Sequence, residues 1–195
     1  MADLVLASTS PARRALLEQV GLAFRAEAPG VEERLDPAAD PIAQARDLAL
    51  RKAHAVAQRH PGALVVGADQ VLVLGGRALG KPADEAEARA QLRSMSGATH
   101  TLVTGVAVVG PGGTFQGHEE TRLAVRALDA AEVDAYLATG EWRGCAGGYR
   151  VEGRGLALFE RIDGDWTNVL GLPMPLLLGE LRRRGVPLFP PPAVC

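Results

Sequence analysis

The sequence is poor in the residues that hold small secreted scaffolds and metal clusters together. Its 195 residues include two cysteines, Cys145 and Cys195, too few for a disulfide framework and spaced like no zinc site. Both are expected to be reduced thiols. The four histidines, His54, His60, His100 and His118, show no ligand spacing either, which removes zinc from the candidate cofactors. No sign of charge dominates: 21 Lys+Arg stand against 23 Asp+Glu, a net charge of -2. The positive field that holds nucleic-acid polymers is therefore missing, and any anionic ligand must be met by locally clustered cations. Long hydrophobic runs are absent as well. The most apolar late stretch, Leu170 to Leu178, is cut by Pro173 and Pro175 and falls short of the roughly 20 residues that span a bilayer. The N-terminal MADLVLASTS has Asp3 inside its first apolar stretch and no basic region before it, unlike a secretory signal or lipid-attachment motif. A cytoplasmic protein with no membrane partner is expected. Aromatic residues make up only 4% of the chain, but 47% is hydrophobic and 23% charged, a profile that excludes disorder and collagen-like repeats and supplies a sizeable core.

What is present reads as alternating strands and helices. Residues 3–7 form a short apolar run, followed by Ser8-Thr9-Ser10, Pro11 and a helical pattern with Leu16, Leu17 and Val20 on one face before Gly21. Ser10 suits an N-cap, Pro11 the first helical position, and Gly21 a left-handed close. A second helix is expected from about Pro41 to Gln58, with Lys52 inside its apolar stripe. Residues 63–68 and 71–74 read as buried strand interrupted by Asp69-Gln70, and Gly75-Gly76 as a hairpin turn before residues 77–79. The pairs Asp84/Glu87 and Asp129/Glu132 have capping-box spacing and open helices that end near Met95 and Gly140. Between them, residues 101–109 and 114–128 flank Pro111-Gly112-Gly113 as a long antiparallel hairpin. Residues 155–162 add a strand, Asp163-Gly164 a turn, and residues 175–184 a last helix; the tail PLFPPPAVC is too proline-rich to extend it. Without repeats, low-complexity blocks or a linker, the order of elements favours a single α/β domain over residues 1–195, split into two lobes around a mixed sheet, with the ligand between the lobes.

Polar residues break this pattern at a few places. Ser8-Thr9-Ser10, with Arg13 and Arg14 just beyond, bring free backbone N–H groups, a helix N-terminus and two cations to a strand-to-helix loop. That chemistry suits an anion, although an ordinary N-cap beside solvated arginines has the same spacing. The segment is not a Walker loop, because the glycines and the Gly-Lys-Ser/Thr ending are missing. Lys52 either runs its stem along the helix edge to water or meets a carboxylate or phosphate. Asp69 ends an apolar strand, where an ionised carboxylate must be paired, hydrogen-bonded or metal-bound unless it caps a turn. Gly80-Lys81-Pro82 after the hairpin brings Lys81 toward it. Glu32-Glu33 in a loop and Glu152 in the glycine-rich CAGGYRVEGRG complete the set. Mg2+ recruits only one or two carboxylates plus substrate phosphates, so scattered acids suffice for it.

At these residues the sequence resembles the Maf family of nucleoside triphosphate pyrophosphatases. The shared segments are LASTSPARRALL (6–17), VEE (31–33), Lys52, GADQV (67–71), GKP (80–82), SGATHTLVTG (96–105), CAGGYRVEG (145–153) and NVLGLP (168–173), and the resemblance runs along nearly the whole chain. The resemblance implies an elongated mixed sheet flanked by helices, with a central cleft between two lobes. It further implies hydrolysis of a nucleoside triphosphate to the monophosphate and pyrophosphate, with Mg2+ or another divalent ion, in a homodimer. Ser8, Arg13, Arg14, Lys52 and Lys81 match phosphate-binding positions of the family. Glu33 and Asp69 match its metal-binding and water-activating acids, and Glu152 a polar site position that is Gln in some relatives. Asp69, Lys52 and Lys81 are thus the expected catalytic groups. Relatives acting on dTTP and UTP show Asp-Thr at the catalytic aspartate and a KAGAYGIQG-like segment. Here Asp69-Gln70, Cys145-Ala146-Gly147, Glu152 and GLALFERIDG look more like the 7-methyl-GTP subgroup, whereas Ala12, Glu32 and Gly148-Tyr149 depart from it. The expected substrate is therefore 7-methyl-GTP. Hydrolysis of dTTP/UTP or ITP/XTP, or a non-catalytic nucleotide-binding role in septum formation, are the alternatives.

Overall fold

The structure is a computed structural model that describes residues 3–34, 36 and 39–189; Cys195 and most of the proline-rich tail lie outside the described residues. In chain order the elements are β1 (Leu4–Leu6), α1 (Pro11–Gln19), β2 (Arg25–Ala26), α2 (Pro41–Ala57), β3 (Leu64–Leu74), β4 (Arg77–Leu79), α3 (Glu85–Met95), β5 (Thr99–Gly110), β6 (Gly113–Val125), α4 (Ala130–Ala138), β7 (Phe159–Asp163), α5 (Trp166–Val169) and α6 (Met174–Arg183). The seven strands form one mixed sheet in the order β2-β1-β3-β5-β6-β7, with β4 paired to β3. Strands β2, β1 and β3 run parallel; β3, β5, β6 and β7 alternate antiparallel.

Sequence chemistry explains most of the boundaries. The Ser10 side chain accepts the Arg13 backbone N–H at the start of α1, and Asp84 does the same for Glu87 in α3. At α4 the capping box is reciprocal between Asp129 and Glu132. Two expectations need correction. Asp69-Gln70 does not interrupt the strand: β3 runs through both residues, because Asp69 pairs with Gly105 and Gln70 with Thr104 on β5. The strand expected from residue 155 begins at Phe159, since Arg154–Leu158 form a 3-10 turn.

The two lobes have separate apolar cores joined by β3. Leu64, Val66 and Ala68 pack with Leu4, Leu6 and Leu17 and with Leu172, Leu177 and Leu181 near α6. Leu72, further along the same strand, packs with Leu92, Met95, Leu123, Tyr136 and Trp142. Asp69 therefore lies on the strand segment where one core gives way to the other. On one face of the sheet α2 lies unusually close. A Cβ at Gly67 would stand 2.1 Å from the Ala49 carbonyl oxygen, and one at Gly105 would stand 2.2 Å from that of Ala45. Only glycine admits this approach, which brings Lys52 of α2 down onto Asp69.

Candidate active site

The loop after β1, the centre of β3, α2, the segment 140–152 and the turn 169–171 enclose a cleft of about 590 Å³. Ser8, Arg13, Glu33, Lys52, Asp69, Lys81 and Glu152 all line it. Lys52 is the hub. Its ammonium is 2.5 Å from Asp69 Oδ1 and 2.6 Å from Glu33 Oε1, and the residue is only 3% exposed. The alternative in which it snorkels to water is thereby excluded. Lys81 does not meet Asp69 as the sequence spacing led us to expect. Its ammonium stands 3.8 Å from Glu33 Oε2 and is largely exposed.

Arg13 reaches the same cleft from α1. Nε donates to the Gly171 carbonyl at 2.7 Å and Nη1 to that of Ala68 at 2.9 Å, with Ser8 Oγ a further 3.5 Å acceptor. Ser8 Oγ also accepts the Ser10 N–H, so it shapes the loop as well as lining the cleft. Arg14 is placed differently. One residue further around the helix, it is exposed and lines a separate groove with Glu18, Leu22 and Phe24 rather than the cleft. At 100° per residue, adjacent arginines on a helix cannot serve one site equally. Glu152 lines the cleft as an exposed side chain, with Arg150 Nε 3.9 Å from its Oε1.

The electrostatics divide the two carboxylates. Burial pushes the Asp69 carboxyl above its ordinary value, against the opposing pull of Lys52 and Arg13, and the charge of Glu33 adds to the rise. Glu33 is also disfavoured by burial, but its hydrogen bond and charge pairing with Lys52, with help from Lys81 and Arg13, hold it below its ordinary value. Two neighbouring acids with opposite shifts are the usual arrangement when one must exchange a proton and the other must stay ionised. Burial also lowers the Arg13 guanidinium, while Asp69 and Glu33 oppose that shift.

The donor set fits a hard divalent cation. Asp69 and Glu33, which both meet the Lys52 ammonium, offer the carboxylate oxygens that such a cation takes. Among the described residues no group of three or more His, Cys, Asp or Glu is disposed to hold one. Such a pair leaves room for phosphate oxygens and water, as Mg2+ prefers.

Several cleft residues carry no assigned site role in the sequence, Glu141 and Arg143 outside every shared segment and Cys145, Tyr149 and Arg150 within 145–153. Glu141, Arg143, Cys145, Tyr149 and Arg150 line the cleft beside Glu152. Arg143 lies over the Trp142 ring at 4.7 Å, and Glu141 Oε2 accepts the Arg154 N–H at 2.8 Å. The glycine-rich composition of this stretch was the available signal, since it marks a tightly turning segment without telling which side chains face inward. Gln70, which in the sequence breaks an apolar run and follows Asp69 as a subgroup feature, lines the cleft too.

A family model described as "Maf-like protein" matches residues 3–184. A protein of Deinococcus radiodurans named dTTP/UTP pyrophosphatase is 46% identical over 185 residues, 95% of this chain and 94% of that protein. One of Pelotomaculum thermopropionicum with the same name is 46% identical, over 95% of this chain and 98% of its own. A protein of Cupriavidus pinatubonensis named 7-methyl-GTP pyrophosphatase is 43% identical over 95% of each chain. Among solved structures, a HAM1 protein of Coxiella burnetii aligns at a TM-score of 0.47 with 13% identity, covering 81% of this chain and 91% of its own. The relatives' names place dTTP/UTP ahead of 7-methyl-GTP, the reverse of what the subgroup features led us to expect. With its match from residue 3 to residue 184 and relatives similar along almost their whole length, the chain belongs to the Maf-like protein family.

Proposed function

We propose that this protein hydrolyses dTTP and UTP between the α- and β-phosphates, giving the nucleoside monophosphate and pyrophosphate. The observation that carries this reading is the convergence of Arg13, Lys52 and Lys81 with Asp69 and Glu33 on one cleft, from α1, α2, β3 and two loops. The names of the Deinococcus and Pelotomaculum relatives support the pyrimidine choice.

A triphosphate gains charge on its leaving pyrophosphate as the anhydride bond breaks, and fixed cations facing that charge lower the barrier. Arg13, locked by backbone carbonyls, and Lys81, exposed at the cleft edge beside Glu33, hold the phosphate chain. Asp69 orients the attacking water and accepts its proton. Lys52 keeps Asp69 aimed and offsets the two acidic charges when no substrate is present. Glu33 and Asp69 would hold a Mg2+ ion, which supplies Lewis-acid polarisation of the phosphates and lowers the pKa of bound water. A 7-methyl-GTP reading rests on Glu152: a carboxylate suits a methylated purine, which carries positive charge and presents N–H donors on its edge.

Pyrophosphate release with Mg2+ across UTP, dTTP, 7-methyl-GTP, GTP and ITP tests the reading. Fastest release from UTP and dTTP supports it. Fastest release from 7-methyl-GTP moves the assignment to the Glu152 reading, and no release from any nucleotide removes the hydrolase.

A further inference from the structure

Beside the carboxylates and cations runs a second polar network that the reaction as proposed does not use. Gln70 follows Asp69 on β3, and its side chain turns to the opposite face of the sheet. Both hydrogens of its amide are engaged: Nε2 donates to Thr104 Oγ1 at 3.0 Å and to the Asn168 carbonyl at 2.7 Å. That carbonyl also accepts the Gly171 N–H at 2.8 Å, closing a tight turn over residues 168–171. The turn's outer carbonyl, that of Gly171, is the one that receives Arg13 Nε at 2.7 Å. The turn is anchored from below by the Asn168 side chain, which is fully buried and donates to the Leu102 carbonyl at 3.1 Å and to Thr121 Oγ1 at 2.9 Å.

Two features separate this network from ordinary packing. Asn168 Oδ1 is buried without a hydrogen-bond partner, an arrangement that costs stability rather than adding to it. The turn is also shaped to its cation. Gly171 has φ +92°, and a Cβ there would stand 3.3 Å from Arg13 Nε. With Nε and Nη1 occupied by backbone carbonyls, Arg13 has its Nη2 edge, with two of the five guanidinium hydrogens, left for a ligand.

We propose that Gln70 is a positioning residue for Arg13: by clamping the Asn168 carbonyl it fixes the 168–171 turn, and through Gly171 it sets the direction in which the guanidinium meets the phosphates. This rests on the reading of Arg13 as a phosphate-binding group. Asp69 and Gln70, adjacent in sequence, thus serve the same cleft from the two faces of one strand. The first aims the attacking water, and the second aims the cation that holds the electrophile.

A double-mutant cycle tests the proposal. Arg13→Ala, Gln70→Ala and the double variant are assayed for pyrophosphate release from UTP with Mg2+, with thermal unfolding as the check of folding. Gln70→Met, which keeps the volume but removes both donors, replaces Gln70→Ala if the latter does not fold. Loss of two hydrogen bonds predicts a fall of about tenfold in kcat/KM for the Gln70 variant, carried mainly by KM. The double variant is predicted to be no worse than Arg13→Ala alone, because the brace has nothing left to aim. Gln70→Glu, which retains shape but cannot donate to the Asn168 carbonyl, is predicted not to restore KM. Multiplying losses in the double variant, or a Gln70 variant with lowered thermal stability and unchanged KM, would overturn the positioning role alone. A wild-type protein that releases no pyrophosphate would overturn the hydrolase reading with it.

Discussion

The two walls of the cleft are built by different means. On the wall formed by α1, α2 and the centre of β3 the charges are held in place: Lys52 by two carboxylates, Arg13 by two backbone carbonyls, Asp69 by Lys52 and by the pairing of β3 with β5. The wall of residues 140–152 carries its charges loosely. Arg143 and Arg150 are exposed, and Glu152 has only a 3.9 Å pair with Arg150. Phosphate chemistry is the same for every nucleotide and rewards a rigid array, whereas recognition of a base calls for side chains that can be exchanged without disturbing the reaction. The division of labour implied is reaction on the first wall and base selection on the second.

The sharpest way to break this comparison is at Asp69. Asp69→Asn keeps an oxygen for Lys52, which also retains Glu33 at 2.6 Å, so the fold should survive. Pyrophosphate release should fall by about a thousandfold or more, and circular dichroism should be unchanged. A second prediction concerns what stands behind the loose wall. His100 is buried, bonds to Tyr149 Oη at 2.7 Å, and has its pKa lowered by burial from 6.5 to about 4. The folded protein therefore resists a proton that the unfolded chain accepts, and stability falls as pH drops below the ordinary histidine value. The loss should reach about 2 kcal/mol by about pH 5 in denaturant titrations and be much smaller in His100→Gln. The base-selecting role of the second wall is then tested at Glu152. Glu152→Gln should leave turnover of UTP within about threefold while lowering any turnover of 7-methyl-GTP by about tenfold, since a charge-assisted contact is replaced by a neutral one. The smallest effect is expected at Arg14. Arg14→Ala, outside the cleft, should change kcat/KM by less than about twofold, as surface substitutions generally do.

The sequence made the first wall legible and left the second opaque, for physical reasons. A lysine inside an apolar helix stripe and an aspartate inside an apolar strand are conspicuous because burial of charge demands a partner, and Lys52 and Asp69 proved to be each other's. What periodicity could not supply was the pairing itself. Lys81 answers Glu33 instead of Asp69, because the approach of α2 permitted by Gly67 and Gly105 gives Lys52 the inner position. Arg13 and Arg14 were indistinguishable in sequence, and only the rotation of α1 separates them. In the segment 140–152 the chain follows no regular period, so no rule says which side chain faces inward; Glu141 and Arg143 were invisible for that reason. Gln70 reads as an interruption because its polarity breaks the apolar run, while the β5 residues that pair with it and the partners of its side chain, Thr104 and Asn168, are distant in sequence.

Hydrolysis of UTP in isotopically labelled water, followed by mass spectrometry of the products, tests the central assignment most directly. If Asp69 aims water at the α-phosphorus while the cations hold the departing chain, the label enters the nucleoside monophosphate and the pyrophosphate stays unlabelled. Label in pyrophosphate, or release of inorganic phosphate in its place, would contradict the account.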